Sequence, residues 1–224
     1  YKFGFRGITA GDWLKDICIN QYNMQADSFS FSYDKDLYTP KTKKDNIKRV
    51  FFYARPVTPR RDFELGLLAL NELSKRIPDL EVIFAGWDVS TYEIPFKHQN
   101  LGIMKIEELS ELYGKCDLCL VISNTNLSLL PLEVMASGSV AVCSKGANSE
   151  WLVNEDNSIL VSYDPFEIAD TMYSYMIDSI KLDNIRKKGI EFAQNTSWDV
   201  EGKKVLEAVL KGIKEDEKCI NNRG

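Results

Sequence analysis

Residues 117–144 read Asp-Leu-Cys-Leu-Val-Ile-Ser-Asn-Thr-Asn-Leu-Ser-Leu-Leu-Pro-Leu-Glu-Val-Met-Ala-Ser-Gly-Ser-Val-Ala-Val-Cys-Ser, and they decide the fold. Apolar runs predict strands over 118–122 and 140–143, with a polar loop and a short helix over 131–138 between them. A strand, a loop and a helix N-terminus in this order form anion sites in α/β proteins, because the first helical N–H groups have no partner within the helix. Glu133 lies in that first turn, where the helix dipole favours a carboxylate. The stretch therefore predicts a pocket for a phosphorylated, hydroxyl-bearing ligand.

Composition and charge disfavour several classes of protein. The chain has 224 residues, 44% of them hydrophobic, enough for one large domain or one and a half small ones. A formal net charge of −5 and a pI of about 5.1 disfavour nucleic-acid binding, so any phosphate site must be local. No apolar run approaches the ~18 residues of a membrane span, and no signal-peptide pattern is present. We expect a cytoplasmic protein and, because the chain opens at Tyr1 without Met, a fragment of a longer one.

The cysteines and the histidine do not form a metal or catalytic pattern. Cys116 and Cys119 have the C-x-x-C spacing, but a second cysteine pair is missing and His98 is the sole histidine. Zinc binding and Ser-His-Asp chemistry therefore both lack necessary residues. We interpret the two cysteines as buried thiols in a reducing compartment, and we expect no metal and no cofactor.

From residue 49 onward, apolar runs and helical patterns alternate. Strands are predicted over 50–53, 80–85, 100–104, 118–122, 140–143 and 158–161, with helices from about 63, 109, 131 and 149 and over most of 165–215. This alternation predicts an α/β fold, an open parallel Rossmann-like sheet with helices on both faces. Such sheets bind ligands beyond the carboxyl ends of their strands, which here gives the loops 54–61, 86–95, 102–107 and 123–131.

The first 48 residues have a different pattern. A helix is predicted from about residue 10 to residue 22, and a strand is predicted over 27–34, where aromatic residues alternate. Residues 35–48 are charged and lack periodicity, so we interpret them as a linker.

The loop after the first regular strand carries three arginines, Arg55, Arg60 and Arg61. Arginine binds phosphate in a bidentate manner and stays charged, so Arg55 with one of Arg60 and Arg61 predicts a diphosphate clamp. Alternatively, Arg60 and Arg61 are surface residues in the first turn of a helix. Two arginines at a helix N-terminus oppose its dipole, which favours the ligand interpretation.

Two further loops could contact a ligand. Gly86 permits close backbone approach, and Trp87 either covers a base or sugar or packs on the core. Backbone groups of Ile103, Met104 and Lys105 could bind a base edge. Phosphate-binding and dinucleotide-binding glycine motifs are absent from the sequence.

Several blocks of the chain together resemble family 4 glycosyltransferases of the GT-B fold, in their C-terminal, nucleotide-sugar-binding domain. The blocks are Tyr53-Ala54-Arg55, Val82-Ile83-Phe84-Ala85-Gly86, Leu101-Gly102, Leu109-Ser110-Glu111-Leu112-Tyr113-Gly114-Lys115-Cys116-Asp117, Ser123 and Pro131-Leu132-Glu133-Val134-Met135-Ala136-Ser137-Gly138. The resemblance implies a tail of an N-terminal domain over 1–34, a linker over 35–48, a donor-binding domain over 49–200 and a C-terminal helix and tail over 201–224. The run Arg-Pro-x-x-Pro-Arg-x-x-Phe-Glu-Leu-Gly-Leu from Arg55 is similar to bacterial rhamnosyltransferases of surface-polysaccharide assembly.

In that family a Glu-x7-Glu pair marks the donor site. The second Glu maps onto Glu133, which the resemblance implies binds donor ribose hydroxyls while the backbone before it holds the diphosphate. The first Glu maps onto Thr125, which has no carboxylate, and the glycine-rich run between them becomes residues 126–130. The resemblance places the donor sugar beside Thr125, Ser128, Leu129 and Leu130.

The resemblance implies a retaining transferase that moves a sugar from a dTDP-, UDP- or GDP-linked donor to a hydroxyl of a glycan acceptor. Arg55 and Arg60 are the implied catalytic residues, since they would stabilise charge on the leaving diphosphate. The acceptor is expected to bind mainly to the N-terminal domain, so this chain alone should bind nucleotide and catalyse little. The longer protein is expected in the cytoplasm, with possible peripheral association at the inner face of the membrane.

Two other functions fit the fold. A non-catalytic GT-B-like module that binds a nucleotide sugar or a partner protein is favoured by Thr125 and by the lost glycines. An epimerase or a phosphorylase-like enzyme ranks lower, because the epimerases need catalytic histidines and the chain has one.

Overall fold

The computed structural model describes residues 5–221, with side chains up to residue 215, and the chain divides into two compact units. The first unit comprises 1–32 and 196–224, and the second comprises 33–195. The outer ends of the predicted tail segments, 1–4 and 222–224, lie outside the described residues. Within the described range, no helix is both long and apolar enough to cross a membrane.

The elements follow one another in the alternating order that the sequence predicts. They are β1 (Gly7–Ala10), α1 (Asp12–Tyr22), β2 (Ala26–Phe29), β3 (Arg49–Tyr53), a 3₁₀ turn (Pro59–Arg61), α2 (Phe63–Arg76), β4 (Glu81–Ala85), β5 (His98–Asn100), α3 (Ile106–Gly114), β6 (Leu118–Val121), α4 (Leu130–Ala136), β7 (Val140–Ser144), α5 (Ala147–Glu150), β8 (Ile159–Val161), α6 (Pro165–Ile177), α7 (Ser179–Asn195) and α8 (Trp198–Asn221).

The first unit pairs β1 and β2 in parallel, with α1 between them in the chain. The predicted strand over 27–34 is wrong in its second half, because β2 ends at Phe29. The chain leaves the strand at Ser30, whose N–H donates to Glu201 Oε2 at 2.6 Å instead of to a neighbouring strand.

The second unit contains a six-stranded parallel sheet in the order β5-β4-β3-β6-β7-β8. The chain builds outward from β3 to β5 and then returns to place β6 on the other side of β3. The strand order therefore reverses between β3 and β6, where open α/β sheets bind ligands. This topology confirms the predicted open parallel sheet.

Helices cover both faces of this sheet. Phe52 stacks on Phe63 of α2 with ring centroids 5.8 Å apart, whereas its neighbour Phe51 meets Tyr113 of α3 edge-on at 5.2 Å. Successive residues of a strand point to opposite faces of the sheet, so β3 contacts α2 on one face and α3 on the other. Helix α2 lies so close to the sheet that a Cβ on Gly66 would be 2.1 Å from Phe52 Cζ.

Two predicted segments differ in the structure. The third strand of the regular series is His98–Asn100 rather than 100–104, because the chain turns at Gly102, which has a φ of +59°. The segment 35–48, predicted to be a linker, belongs to the second unit. Its Lys41 N–H donates to the carbonyl of Ser137 at 3.0 Å, and Lys41 passes so close to Gly138 that a Cβ there would be 2.9 Å from its carbonyl oxygen.

Candidate functional site

The loops after β3 and β6 meet at the reversal of strand order. The carbonyl of Arg60 accepts a hydrogen bond from the Asn124 N–H at 2.8 Å, and Arg60 Nη1 donates to Thr125 Oγ1 at 2.9 Å. The structure therefore brings together two predicted site residues from loops that are 65 residues apart in sequence. Asn124 was not among the predicted residues.

Tyr53 supports two of the three arginines. Arg55 Nε donates to Tyr53 Oη at 2.8 Å, and the Arg55 guanidinium carbon lies 5.4 Å from the centre of the Tyr53 ring. The guanidinium carbon of Arg61 lies 5.9 Å from the centre of the same ring. Cations within about 6 Å of an aromatic face are attracted by its quadrupole, so Tyr53 holds both groups at the end of β3. Tyr53 was not among the predicted site residues.

Arg61 is a buried cation that has no counter-ion among the residues that the structure describes. Arg61 is only 7% exposed, and its Nη1 has no hydrogen-bond partner among residues 5–221. Burial lowers the pKa of Arg61, with a smaller contribution from the nearby charge of Arg60, yet a guanidinium stays protonated at neutral pH. The alternative that Arg60 and Arg61 are both surface residues is wrong for Arg61, whereas Arg60 is exposed.

The N-terminus of α4 offers fewer free donors than predicted. The helix has seven residues, and Pro131 in its first turn has no N–H. The N–H groups of Leu132 and Glu133 both donate to the carbonyl of Leu129, at 3.0 and 3.1 Å. These two N–H groups are therefore not free to bind an anion.

Glu133 is half-buried, and the loss of solvent raises the pKa of its carboxyl to about 7. The hydroxyl of Tyr38, which is 2% exposed, lies close enough to lower that pKa slightly without making a well-formed hydrogen bond. Tyr38 itself stacks on Tyr113, with ring centroids 6.2 Å apart. Burial therefore makes ionisation of the Glu133 carboxyl less favourable than that of an exposed carboxyl.

Gly86 makes room for Tyr53. It has a φ of +106°, its N–H donates to the carbonyl of Gly102 at 2.7 Å, and a Cβ at position 86 would be 2.5 Å from Tyr53 Cε2. Trp87 is half-buried and packs against the core, as the packing interpretation expected.

The residues of the segment 103–105 differ in their exposure to solvent. Ile103 is 84% exposed, Met104 is half-buried and Lys105 is exposed. The N–H of Lys105 donates to Glu108 Oε2 at 3.1 Å, which caps α3. The carbonyl of Lys105 is also occupied, since it accepts from the Glu108 N–H at 3.1 Å, so the backbone groups of Ile103 and Met104 are the better candidates for contact with a base.

The segment that replaces the family's glycine-rich run has a compact turn. Ser128 adopts a φ of +64°, a left-handed conformation that is common for glycine. Its N–H donates to Asn126 Oδ1 at 3.1 Å, and this hydrogen bond stabilises the turn. Ser128 is exposed and Leu129 is half-buried, whereas Leu127 and Leu130 are buried in the core. The side chain of Leu130 therefore packs inside the fold rather than lining the edge of the sheet.

Two polar side chains that sequence analysis missed hold the loop after β6. Asn148 Nδ2 donates to the carbonyls of Ser123 and Thr125 at 2.8 and 2.7 Å, and Tyr163 Oη donates to the carbonyl of Ser123 at 3.0 Å. Neither residue has a periodic or motif signal in the sequence that marks it. In the part of the chain that the structure describes, no group of three or more metal-binding side chains is present.

Comparison with known proteins assigns the chain to a family. Residues 48–173 match the family described as WsaF, C-terminal domain. The chain belongs to this family. The O-antigen biosynthesis protein RfbC of Myxococcus xanthus is 30% identical over 217 residues, which cover 94% of this chain and 17% of that protein. The chain thus spans about a sixth of the length of this relative.

Solved structures share the fold of this WsaF-type domain. Sucrose-phosphate synthase from Thermosynechococcus elongatus matches with a TM-score of 0.73 at 16% identity, over 96% of this chain and 59% of that one. HepE of Anabaena, solved with UDP and glucose, matches with a TM-score of 0.71 at 16% identity, over 90% and 62%. WaaG, a glycosyltransferase involved in lipopolysaccharide biosynthesis, matches with a TM-score of 0.71 at 10% identity, over 91% and 61%. The resemblance is confirmed: the chain has the fold of the C-terminal half of GT-B glycosyltransferases.

Proposed function

We propose that residues 33–195 form the donor-binding domain of a retaining glycosyltransferase that acts in bacterial surface-polysaccharide synthesis. The transferase moves a sugar from a nucleoside diphosphate to a hydroxyl of a glycan or another acceptor. The observation that carries this proposal is the buried guanidinium of Arg61, which lies near Arg55 and Arg60 and whose Nη1 has no hydrogen-bond partner among the described residues. A buried cation without a partner is costly to the fold, and a bound diphosphate supplies the missing counter-charge.

The arginines have distinct parts in this proposal. Arg55 and Arg60 are the catalytic residues, because they stabilise the negative charge that develops on the leaving diphosphate. Arg61 also binds the diphosphate, and its guanidinium is held in place by the ring of Tyr53. Among the residues that the structure describes, none of the three forms an ion pair with a carboxylate, so their charges are available to an anion.

In this proposal, other residues bind the remaining parts of the donor. Glu133 binds the ribose hydroxyls, and the backbone of Ile103, Met104 and Lys105 binds the base. Gly86 and Trp87 border the nucleotide, with Trp87 mainly packing on the core. The sugar lies against Thr125 and the turn 126–130, where Ser128 and Leu129 present exposed atoms.

The names of two similar proteins support a role in surface-polysaccharide synthesis. RfbC is named for O-antigen biosynthesis and WaaG for lipopolysaccharide biosynthesis. The run that begins at Arg55 is similar to bacterial rhamnosyltransferases, so rhamnose is one candidate sugar, and the donor is dTDP-, UDP- or GDP-linked. We place the longer protein in the cytoplasm, at the inner face of the membrane, and we expect the present chain to bind nucleotide with little transfer.

Calorimetric titration of the chain with UDP, GDP and dTDP tests this proposal. Replacing Arg55 or Glu133 by Ala should weaken the best nucleotide by about 10- to 100-fold, because each removes a charge-assisted hydrogen bond. Arg186→Ala is the matched control, since this arginine pairs with Asp183 on α7. If the Arg55 and Glu133 variants bind as the unmodified chain does, the assigned site is wrong.

A non-catalytic nucleotide-sugar-binding module is the second candidate, favoured by the uncharged Thr125 at the position of the family's first Glu. The two functions can be distinguished by an activity assay on a longer protein that contains this chain together with an acceptor-binding domain. Incubation with a panel of nucleotide sugars should give nucleoside diphosphate release for a transferase. Complete inertness with intact nucleotide binding supports the module.

A further inference from the structure

The carboxamide of Asn148 is placed to hold the loop after β6. Its Nδ2 donates to two backbone carbonyls of that loop, those of Ser123 and Thr125, at 2.8 and 2.7 Å. Only the NH₂ end of a carboxamide can satisfy two carbonyl acceptors, so its orientation is fixed by chemistry. Asn148, in the helix α5 that follows β7, thus bridges the two ends of the loop 123–125.

Two hydroxyl groups also donate hydrogen bonds to the backbone of this loop, at Ser123. The Ser123 carbonyl also accepts from Tyr163 Oη at 3.0 Å and from Ser144 Oγ at 3.1 Å. In return, the Ser123 N–H donates to Ser144 Oγ at 3.2 Å. Ser123 and Ser144 are both buried, and hydrogen bonds in such surroundings hold the backbone more firmly than bonds exposed to water.

The loop in turn fixes Arg60. The Asn124 N–H donates to the Arg60 carbonyl, and the Arg60 guanidinium donates to the Thr125 hydroxyl. A carboxylate at position 125 would orient Arg60 but would also neutralise its charge. Thr125 orients the guanidinium and leaves that charge available to an anion.

We propose that Asn148 is a positioning residue, which through the loop 123–125 sets the backbone and the guanidinium of Arg60. The role of Arg60 in binding a diphosphate rests on the proposed function, whereas the positioning itself does not.

Amide hydrogen exchange, followed by NMR on the ligand-free chain, tests the positioning. Asn148→Ala should speed exchange of the Asn124 N–H by about tenfold, and Asn148→Asp by more, because a carboxylate there faces two carbonyl oxygens. Tyr163→Phe keeps the ring and should give a smaller increase, while Asn46→Ala, an exposed asparagine before β3, should give none. Unchanged exchange at Asn124 in both Asn148 variants overturns the proposal.

A double-mutant cycle separates positioning from general weakening of the fold. With the best of UDP, GDP and dTDP, Asn148→Ala should weaken binding by about tenfold in the unmodified chain and by less than about twofold in an Arg60→Ala background. Equal losses in both backgrounds overturn the link to Arg60. If the unmodified chain binds no nucleotide, the proposed function fails, and the exchange measurement alone decides the positioning.

Discussion

Glu133→Gln should make the ligand-free chain more stable at alkaline pH. The glutamine keeps the shape of the side chain but cannot ionise, so it removes the cost of a charged carboxylate in a half-buried position. Burial raises the pKa of Glu133 from 4.5 to about 7. At about 1.36 kcal/mol per pKa unit, that shift corresponds to roughly 3 kcal/mol between the two protonation states.

The sign follows from the direction of the shift. A carboxyl whose pKa is higher in the folded state favours folding while it is protonated, fully so below its unfolded value of 4.5. That contribution is lost as the pH rises through about 7. The free energy of unfolding of the variant should therefore exceed that of the unmodified chain by up to roughly 3 kcal/mol above pH 8, relative to their difference near pH 4.5.

Urea unfolding followed by tryptophan fluorescence, at a series of pH values from 4.5 to 8.5, measures this difference. Glu93→Gln, which changes an exposed carboxylate, is the matched control and should not alter the pH dependence. A stability difference between the Glu133 variant and the unmodified chain that is the same at every pH refutes the reasoning.

Three further changes have defined outcomes. Gly66→Ala should lower the free energy of unfolding by about 2 kcal/mol or more in urea titrations, because its Cβ would overlap the ring of Phe52. Arg61→Met should raise the free energy of unfolding of the ligand-free chain by about 1–3 kcal/mol, seen as a higher melting temperature, because it removes a buried cation. The same variant should bind nucleotide more weakly in calorimetric titrations. Tyr38→Phe should raise the pKa of Glu133 further, seen as a shift of the stability–pH curve to higher pH, because the Tyr38 hydroxyl lowers that pKa.

The parallel sheet could be predicted because its strands are buried on both faces and read as continuous apolar runs. Val50–Tyr53 and Leu118–Ile122 show such runs without any need for tertiary information. The arginines were predicted for a similar reason, since their type and their place after a strand indicate an anion site on their own.

The different environments of adjacent arginines could not be predicted. Arg60 is exposed and Arg61 buried because the chain forms a 3₁₀ turn and then enters a left-handed conformation at Asp62, with a φ of +43°. That geometry depends on contacts with the loop after β6. Asn148 was missed for the same reason: its partners lie 25 and 23 residues earlier, and no local pattern connects them.

The ring of Tyr53 has a consequence for how this family can vary. Gly86 lacks a side chain where the ring lies, and the ring supports both Arg55 and Arg61. A side chain at position 86 displaces the ring, and a smaller residue at position 53 leaves two guanidinium groups without support. These positions are therefore constrained as a set, and relatives that differ at one of them should carry compensating differences at the others.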